Sequence, residues 1–204
     1  MPLPIPLHGL RDSTSHAGTG FLVESGEKIW LVTCVHIVTG LKRTPKSAQY
    51  FYGGSLRAVE NGLTICLIEN GAQRFSAVEF AGTDSLADVM AIKLTSFEAD
   101  ELVSYGAYNL STVVTPKVGD IVAATGFPGM GLTAINPSTL QGEITEIVGV
   151  SIKISVPSAP GYSGSALLSQ SGLIGIVHGD VGEPPNLTNG LALSFEVIGP
   201  QLFV

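Results

Sequence analysis

The sequence predicts an all-β fold of two similar halves, and three observations support this prediction. Gly and Pro are frequent, with 25 and 12 residues, whereas charged residues make up only 13% of the chain. This composition suits short strands joined by turns better than long surface helices. Short apolar stretches recur between turn residues at a spacing of about 8–12 positions. No stretch keeps a helical period of about 3.6 residues over several turns. Two small β-barrels are the architecture that this pattern favours.

Four segments are expected along the chain. Residues 1–17, first rich in proline and then polar, are expected to form an irregular N-terminal arm. The first barrel is expected over 18–104, a linker over 105–117, and the second barrel with the tail over 118–204.

The first half is expected to begin with a hairpin, in which strands over 18–23 and 28–35 flank a turn that contains glycine. One helical turn should follow over 36–40 and end at Gly40. The other strand candidates of this half are short β-rich runs between polar turns: 49–52, 56–59, 63–69, 75–80 and 89–94.

The second half repeats this alternation of strands and turns. Its strand candidates are 121–125, 140–148, 151–156, 165–168, 173–178 and 190–195. The tail, 196–204, predicts a short C-terminal helix that is interrupted near Gly199 and Pro200.

Charge and hydropathy argue against several classes of partner. The net charge of −7 argues against a nucleic-acid partner, because phosphates require a basic surface. No apolar run approaches the roughly 18 residues of a membrane span, so no membrane partner is expected. The proline-rich start does not resemble a secretory signal, and Cys34 and Cys66 lie in apolar runs as expected for buried free thiols. We therefore expect a cytoplasmic location.

The segment Gly161-Tyr162-Ser163-Gly164-Ser165 is the strongest candidate for a reactive site. Its serine is flanked by residues that let the backbone turn sharply and bring N–H groups close to a substrate oxygen. A hydroxyl becomes a useful nucleophile when a base and oxyanion donors stand beside it. Ser163 is therefore the candidate nucleophile.

His36 and Asp88 are the candidate base and its orienting acid. His36 directly follows an apolar strand, so it is held by the strand and exposed at its end. Asp88 directly precedes the next apolar strand, where a carboxylate needs a partner such as an imidazole N–H. Asp84 is the competing acid, in a more polar turn. The other histidines lie at 8, 16 and 178.

Four segments resemble the chymotrypsin-like serine proteases. They are the strand that ends in His36, the strand led by Asp88, the loop around Ser163, and the strand over 173–177. Within that family the chain looks most like minimal bacterial trypsin-like peptidases related to HtrA and to glutamyl endopeptidases, and it is also similar to viral 3C-like proteases. The resemblance covers about 18–198 and implies two six-stranded Greek-key barrels.

The resemblance also implies roles for individual residues. His36 would be the general base, Asp88 would orient it and Ser163 would attack the scissile carbonyl, with the amides of Gly161 and Ser163 forming the oxyanion hole. The substrate pocket would include Pro157, Val177, His178, Gly179 and Ala192.

The resemblance leaves the substrate preference open at His178. Related enzymes that read Glu or Gln carry a histidine one position earlier in this strand. A shift of one residue turns a side chain to the other face. Either a bulge returns His178 to the pocket, or Val177 faces the pocket instead. A small or aliphatic residue before the scissile bond is the alternative to Glu or Gln.

The expected function is that of a serine endopeptidase acting on a protein or peptide substrate through an acyl-enzyme. Two alternatives are a catalytically silent binding module with the same fold, and a self-processing protein that holds its own tail, 201–204, in the cleft. No metal site and no cofactor are expected, since the histidines are scattered and the cysteines lack ligand spacing.

Overall fold

The computed structural model describes residues 1–47, 54–60, 63–68, 74–80, 82–129, 136–182 and 186–204. The strand candidate at 49–52 lies outside the described residues. Among the described residues, no helix is both long and apolar enough to cross a membrane.

The first half is a sheet whose strands follow one path from β5 to β6. Its elements are β1 (Ile5–Arg11), β2 (Thr14–Ser25), β3 (Lys28–Thr33), α1 (Val35–Thr39), β4 (Ser55–Glu60), β5 (Leu63–Ile68), β6 (Phe75–Glu79), β7 (Leu86–Lys93), α2 (Ser96–Glu101) and β8 (Ala107–Asn109). The strand order is β5-β4-β1-β2-β3-β7-β6, and β8 pairs with β2 off this path. The long strand β2 turns a corner, because 14–20 pair with β1 and 21–25 pair with β3.

The second half is a closed barrel of six strands in the order β10-β11-β14-β13-β12-β9. Its elements are β9 (Ile121–Gly126), β10 (Ser138–Val148), β11 (Ser151–Ile154), β12 (Ala166–Ser169), β13 (Gly172–Val181), β14 (Asn189–Ser194) and the C-terminal helix α3 (Phe195–Leu202). The two halves confirm the predicted all-β, chymotrypsin-like architecture with a short C-terminal helix.

The prediction of an irregular arm over 1–17 is wrong, because β1 and the start of β2 form a hairpin there. Its two-residue turn, Asp12-Ser13, has positive φ at both positions, as the tight turns that suit strand twist require. Pro6 is tolerated in β1 because its partner Thr19 directs both backbone groups elsewhere: its N–H donates to Ser163 and its carbonyl accepts from Thr33.

The two predictions that concern helices had different outcomes. The helical turn after β3 is confirmed as α1, and it ends at Gly40 with a φ of +70°. The predicted interruption of the C-terminal helix is wrong, since α3 continues through Pro200. Burial of Phe195, Ile198 and Leu202 outweighs the one backbone hydrogen bond that proline removes.

Two apolar clusters form the core. One fills the first half and extends onto the outer face of the barrel and onto α3, where it includes Ile176, Leu193 and Phe195. The other fills the closed barrel. The chain between the halves is held by both, because β8 pairs with β2 and Val113 forms a bridge with Leu173. The halves are therefore joined by shared apolar packing as well as by the chain.

Candidate active site

His36 and Asp88 are brought together by strand pairing. Thr33, the last residue of β3, pairs with Met90 of β7 in antiparallel register. The chain that follows Thr33 therefore passes alongside Asp88, and α1 begins at this point. The apolar residues of β3 that predicted a strand, such as Leu31 and Val32, are fully buried and hold this end of the strand in place.

The His36–Asp88 pair is held at two points. The His36 backbone N–H donates to Asp88 Oδ1 at 2.9 Å, and His36 Nδ1 lies 2.5 Å from Asp88 Oδ2. Both carboxylate oxygens are thus directed at one residue. Nδ1 carries the proton in this arrangement, which leaves Nε2 as the ring nitrogen that can accept a proton. The side chains are 28% and 18% exposed, so the pair lies at the surface of the cleft but is largely shielded.

Ser163 lies in the loop between β11 and β12, in a turn that requires glycine. Gly161 and Gly164 have φ of +104° and +88°, in the region that side chains rarely adopt. A Cβ at Gly161 would collide with the Phe127 carbonyl, and one at Gly164 would collide with the Thr19 carbonyl. The glycines therefore let the loop lie directly against both halves.

Thr19 of β2 fastens this loop to the first half. Its N–H donates to the Ser163 carbonyl at 2.8 Å, and its Oγ1 donates to the Gly161 carbonyl at 2.7 Å. Thr33 Oγ1 in turn donates to the Thr19 carbonyl at 2.7 Å. Both threonines are fully buried, so these hydrogen bonds are protected from competition with water.

Two further contacts bring the loop close to His36. The Val177 carbonyl accepts from Gly164 N at 2.8 Å and from Cys34 Sγ at 3.4 Å, so the neighbours of Ser163 and of His36 share one acceptor. Gly18 lies between the two parts of the site, because a Cβ there would meet both the Ile37 side chain and the Ser163 carbonyl. The serine loop and the segment that carries His36 thus meet at the junction of the halves.

The amides of Gly161 and Ser163 donate no hydrogen bond within the described part of the chain. The Gly161 carbonyl, in contrast, accepts from Thr19 Oγ1 and from Phe127 N–H. Gly161 and Ser163 are therefore anchored through their carbonyl groups, which leaves their two N–H groups available for a ligand oxygen.

Cys34 is a buried free thiol beside the pair, as predicted for a cysteine in an apolar run. Burial, and then the charge of Asp88, raise the pKa of this thiol well above its ordinary value. Ligand atoms of Cys34, His36 and Asp88 lie within 4.8 Å of one another. Each is already committed, since the thiol donates to Val177 and the other two residues bind each other. The side chain of Cys66 lies outside the described part.

The five residues predicted for the substrate pocket have different surroundings. Val177 and Ala192 are fully buried in the core of the closed barrel, where packing accounts for both. Pro157 is exposed, and Gly179 is half-buried on β13. The assignment of these residues to a specificity pocket stays a prediction.

His178 is the extra residue of a β-bulge. Val177 pairs with Ala192 and Gly179 pairs with Leu191, so His178 has no partner in the ladder. Burial lowers the pKa of its imidazole. The smaller effects are those of Asp88, which raises this pKa, of His36, which lowers it further, and of Asp180, which raises it. Of the alternatives left open by the sequence, a bulge is thus present, and it places His178 beside the His36–Asp88 pair.

Hydrogen bonding and packing also define the surroundings of Asp180 and of the C-terminal tail. Asp180 accepts from the N–H and the hydroxyl of Ser158, so it supports the start of the serine loop. The tail does not lie in the cleft: Leu202 is fully buried, and Phe203 packs against Trp30 near the beginning of β3, whereas His36 follows the end of that strand. This position of the tail differs from the one that the self-processing alternative requires.

Thr19 and Thr33 were not identified from the sequence, although a threonine between two glycines in an apolar strand is a signal that could have found the first. The flanking Gly18 and Gly20 leave no room for side chains, which indicates close approach of another part of the chain.

Solved structures with this fold include several proteases. The protease Anisep from Arthrobacter nicotinovorans is 15% identical with a TM-score of 0.68, over 98% of this chain and 94% of that chain. The active form of the Rv3671c protease from M. tuberculosis is 16% identical with a TM-score of 0.61, over 98% and 79%. The serine protease domain of the Sesbania mosaic virus polyprotein is 15% identical with a TM-score of 0.59, over 98% and 92%. At these identities the similarity shows a shared fold.

A search of curated proteins found no match. The family comparison, in contrast, matches residues 18–176 to the trypsin-like peptidase domain. This match spans most of the chain and includes His36, Asp88 and Ser163. The chain belongs to the trypsin-like peptidase family.

Proposed function

We propose that this protein is a serine endopeptidase that uses His36, Asp88 and Ser163 as its catalytic triad. Family membership implies a protein or peptide substrate. The observation that carries the proposal is the two-point hydrogen bonding of His36 to Asp88 beside a serine loop that Thr19 holds against the same half.

In the first chemical step, Ser163 Oγ attacks the scissile carbonyl carbon and its proton passes to His36 Nε2. Asp88 stabilises the resulting imidazolium through Nδ1–H and does not itself take the proton. The free amides of Gly161 and Ser163 stabilise the oxyanion, and one such donor typically contributes about 3–4 kcal/mol to lowering the barrier.

Collapse of the tetrahedral intermediate breaks the C–N bond, and His36 returns the proton to the departing amine. Water then attacks the acyl-enzyme with His36 again acting as base, which releases the carboxylic acid and restores Ser163. Besides this water, the steps use side chains and backbone amides of the chain.

Replacement of Ser163 by alanine tests the proposal. The S163A variant should lose both peptide cleavage and covalent labelling by a fluorophosphonate probe. Ser165→Ala is the matched control, because Ser165 lies in the same loop but its buried hydroxyl has no partner among the described residues. Ser165→Ala should keep both signals.

Unchanged cleavage by folded Ser163→Ala would refute the proposal. A folded wild-type protein that never reacts with the probe would instead favour the binding-module alternative.

A further inference from the structure

A cavity of about 300 Å³ lies directly beside the His36–Asp88 pair. One wall is basic, formed by Lys42 and Arg43 from the loop that follows α1. Asp88 and His178 also line the cavity. A group bound here would sit next to the residues that act on the scissile bond.

The charge of this cavity is unusual for the molecule. The chain has a net charge of −7 and only 10 Lys and Arg residues, yet two of them meet at this one opening. Asp88 is the sole carboxylate in the described lining, and His36 already occupies both of its oxygens. Arg43 is exposed and makes no ion pair within the described part of the chain. Its positive charge therefore remains available to a ligand.

His178 supplies a second, independent sign of a ligand. Its Nε2 is buried and has no hydrogen-bond partner among the described residues, although such groups in native proteins are nearly always satisfied. The bulge at this position takes His178 out of the regular ladder, and the residue lines the same cavity as Asp88. The nearby Asp180 is held by Ser158, so it does not supply the missing partner.

The remaining lining suits a short side chain with a polar end. Thr83 and Ser85 bring hydroxyl groups to the cavity, and Phe80 and Leu86 bring apolar surface. Hydroxyl and guanidinium donors match a carboxylate, and the apolar surface matches the methylene groups that precede it.

We propose that this cavity binds an acidic side chain, glutamate or aspartate, from a peptide substrate at a position that flanks the scissile bond. This inference rests on the proposed endopeptidase function, because its consequence is a preference among peptide substrates. Arg43 is the principal specificity-determining residue, and its guanidinium attracts the carboxylate.

The test uses two matched libraries of quenched hexapeptides, in which one position is fixed as Glu or as Gln. When the fixed position flanks the cleaved bond, wild-type protein should cleave the Glu peptides with a kcat/KM about tenfold higher than that for the Gln peptides. One charge-assisted hydrogen bond accounts for a difference of this size. Arg43→Gln should reduce this preference to within about twofold, because it removes the positive charge that distinguishes Glu from Gln. Lys46→Gln is the control, because Lys46 is in the same loop but pairs with Glu79 instead of lining the cavity.

Binding to Ser163→Ala separates this inference from the proposed function. If Ser163→Ala binds the Glu peptide more tightly than its Gln partner, and Arg43→Gln abolishes the difference, the cavity has its assigned role even when wild-type protein cleaves nothing. Equal cleavage and equal binding of the two peptides would overturn the inference. It would also fail if Lys46→Gln and Arg43→Gln had the same effect, or if an apolar or basic residue were preferred.

Discussion

The two halves contribute to the candidate site in different ways. The first half supplies His36 and Asp88 from adjacent elements, and two direct hydrogen bonds fix one against the other. The closed barrel supplies Ser163 from a loop, and the contacts that position this loop cross to β2 of the first half. The base and acid are therefore organised within one half, whereas the nucleophile is organised between the halves.

This difference indicates that activity and stability respond differently to mutation in the two regions. A change in the pair alters the chemistry of the imidazole while leaving the junction intact. A change at the junction shifts Ser163 relative to a pair that stays in place. Small misplacements of a nucleophile reduce rates strongly, because catalysis depends on near-ideal geometry.

The largest effect is expected from breaking the pair within the first half. Asp88→Asn keeps the size of the side chain but presents an amide to Nδ1, which favours the wrong imidazole tautomer. We expect kcat to fall by about 10⁴-fold, as is typical for loss of the orienting acid. Steady-state cleavage of a peptide substrate measures this effect.

The matched control for Asp88→Asn is Asp84→Asn, which changes an exposed acid in the preceding turn. It should cleave at close to the wild-type rate. A decrease of less than about tenfold for Asp88→Asn would show that His36 does not depend on this carboxylate.

Sequence reasoning located the residues that local pattern determines. His36 and Asp88 each border an apolar strand, and a buried strand with a polar residue at its end can be recognised without knowing its neighbours. The helical turn that ends at Gly40 also follows from local chemistry, because glycine adopts the left-handed conformation that ends a helix.

Contacts between distant parts of the chain were not predictable in this way. The Thr19 hydroxyl binds a carbonyl 142 residues away, and no local pattern indicates that partner. The bulge at His178 depends on the register of β14, and the hairpin of β1 depends on positive φ at Asp12 and Ser13. These features arise from tertiary packing, which outweighed the propensities of prolines and polar residues.

A smaller effect is expected from loosening the junction. Thr19→Val removes the hydroxyl that binds the buried Gly161 carbonyl, which should cost about 1–3 kcal/mol in the free energy of unfolding. Cleavage should decrease as well, because the serine loop loses one of its anchors. Urea unfolding and kcat/KM, measured on the same preparation, report the two effects.

Thr39→Val is the matched control for the junction. Thr39 is equally buried, but its hydroxyl contacts Val35 and Thr44, both within the first half. We expect a comparable loss of stability with cleavage retained. If both variants reduce cleavage equally, the loop does not depend specifically on the contact between the halves.

The smallest effect concerns the open edge of the first half, a feature that the closed barrel lacks. Glu98 caps α2 through Thr95 and accepts two hydrogen bonds at 2.7 Å from Arg74, which precedes the edge strand β6. Burial alone would raise the pKa of Glu98, but these hydrogen bonds outweigh it and hold the pKa below its ordinary value of 4.5. A carboxylate whose pKa is lowered by folding stabilises the protein above its ordinary pKa, and this contribution is lost as the pH falls through the folded-state pKa.

The Glu98→Gln variant should therefore unfold more easily than wild type at pH 7, with a free energy of unfolding lower by about 1 kcal/mol. The difference between the two proteins should narrow at pH values below that ordinary pKa. Urea unfolding between pH 3 and pH 7 measures this trend, with the exposed Glu101→Gln in the same helix as a control that should show little difference at any pH. A difference that stays constant down to pH 3 would mean that the capping hydrogen bonds, and not the charge, stabilise this edge. Cleavage should be unaffected in either case, because the edge lies outside the junction that positions Ser163.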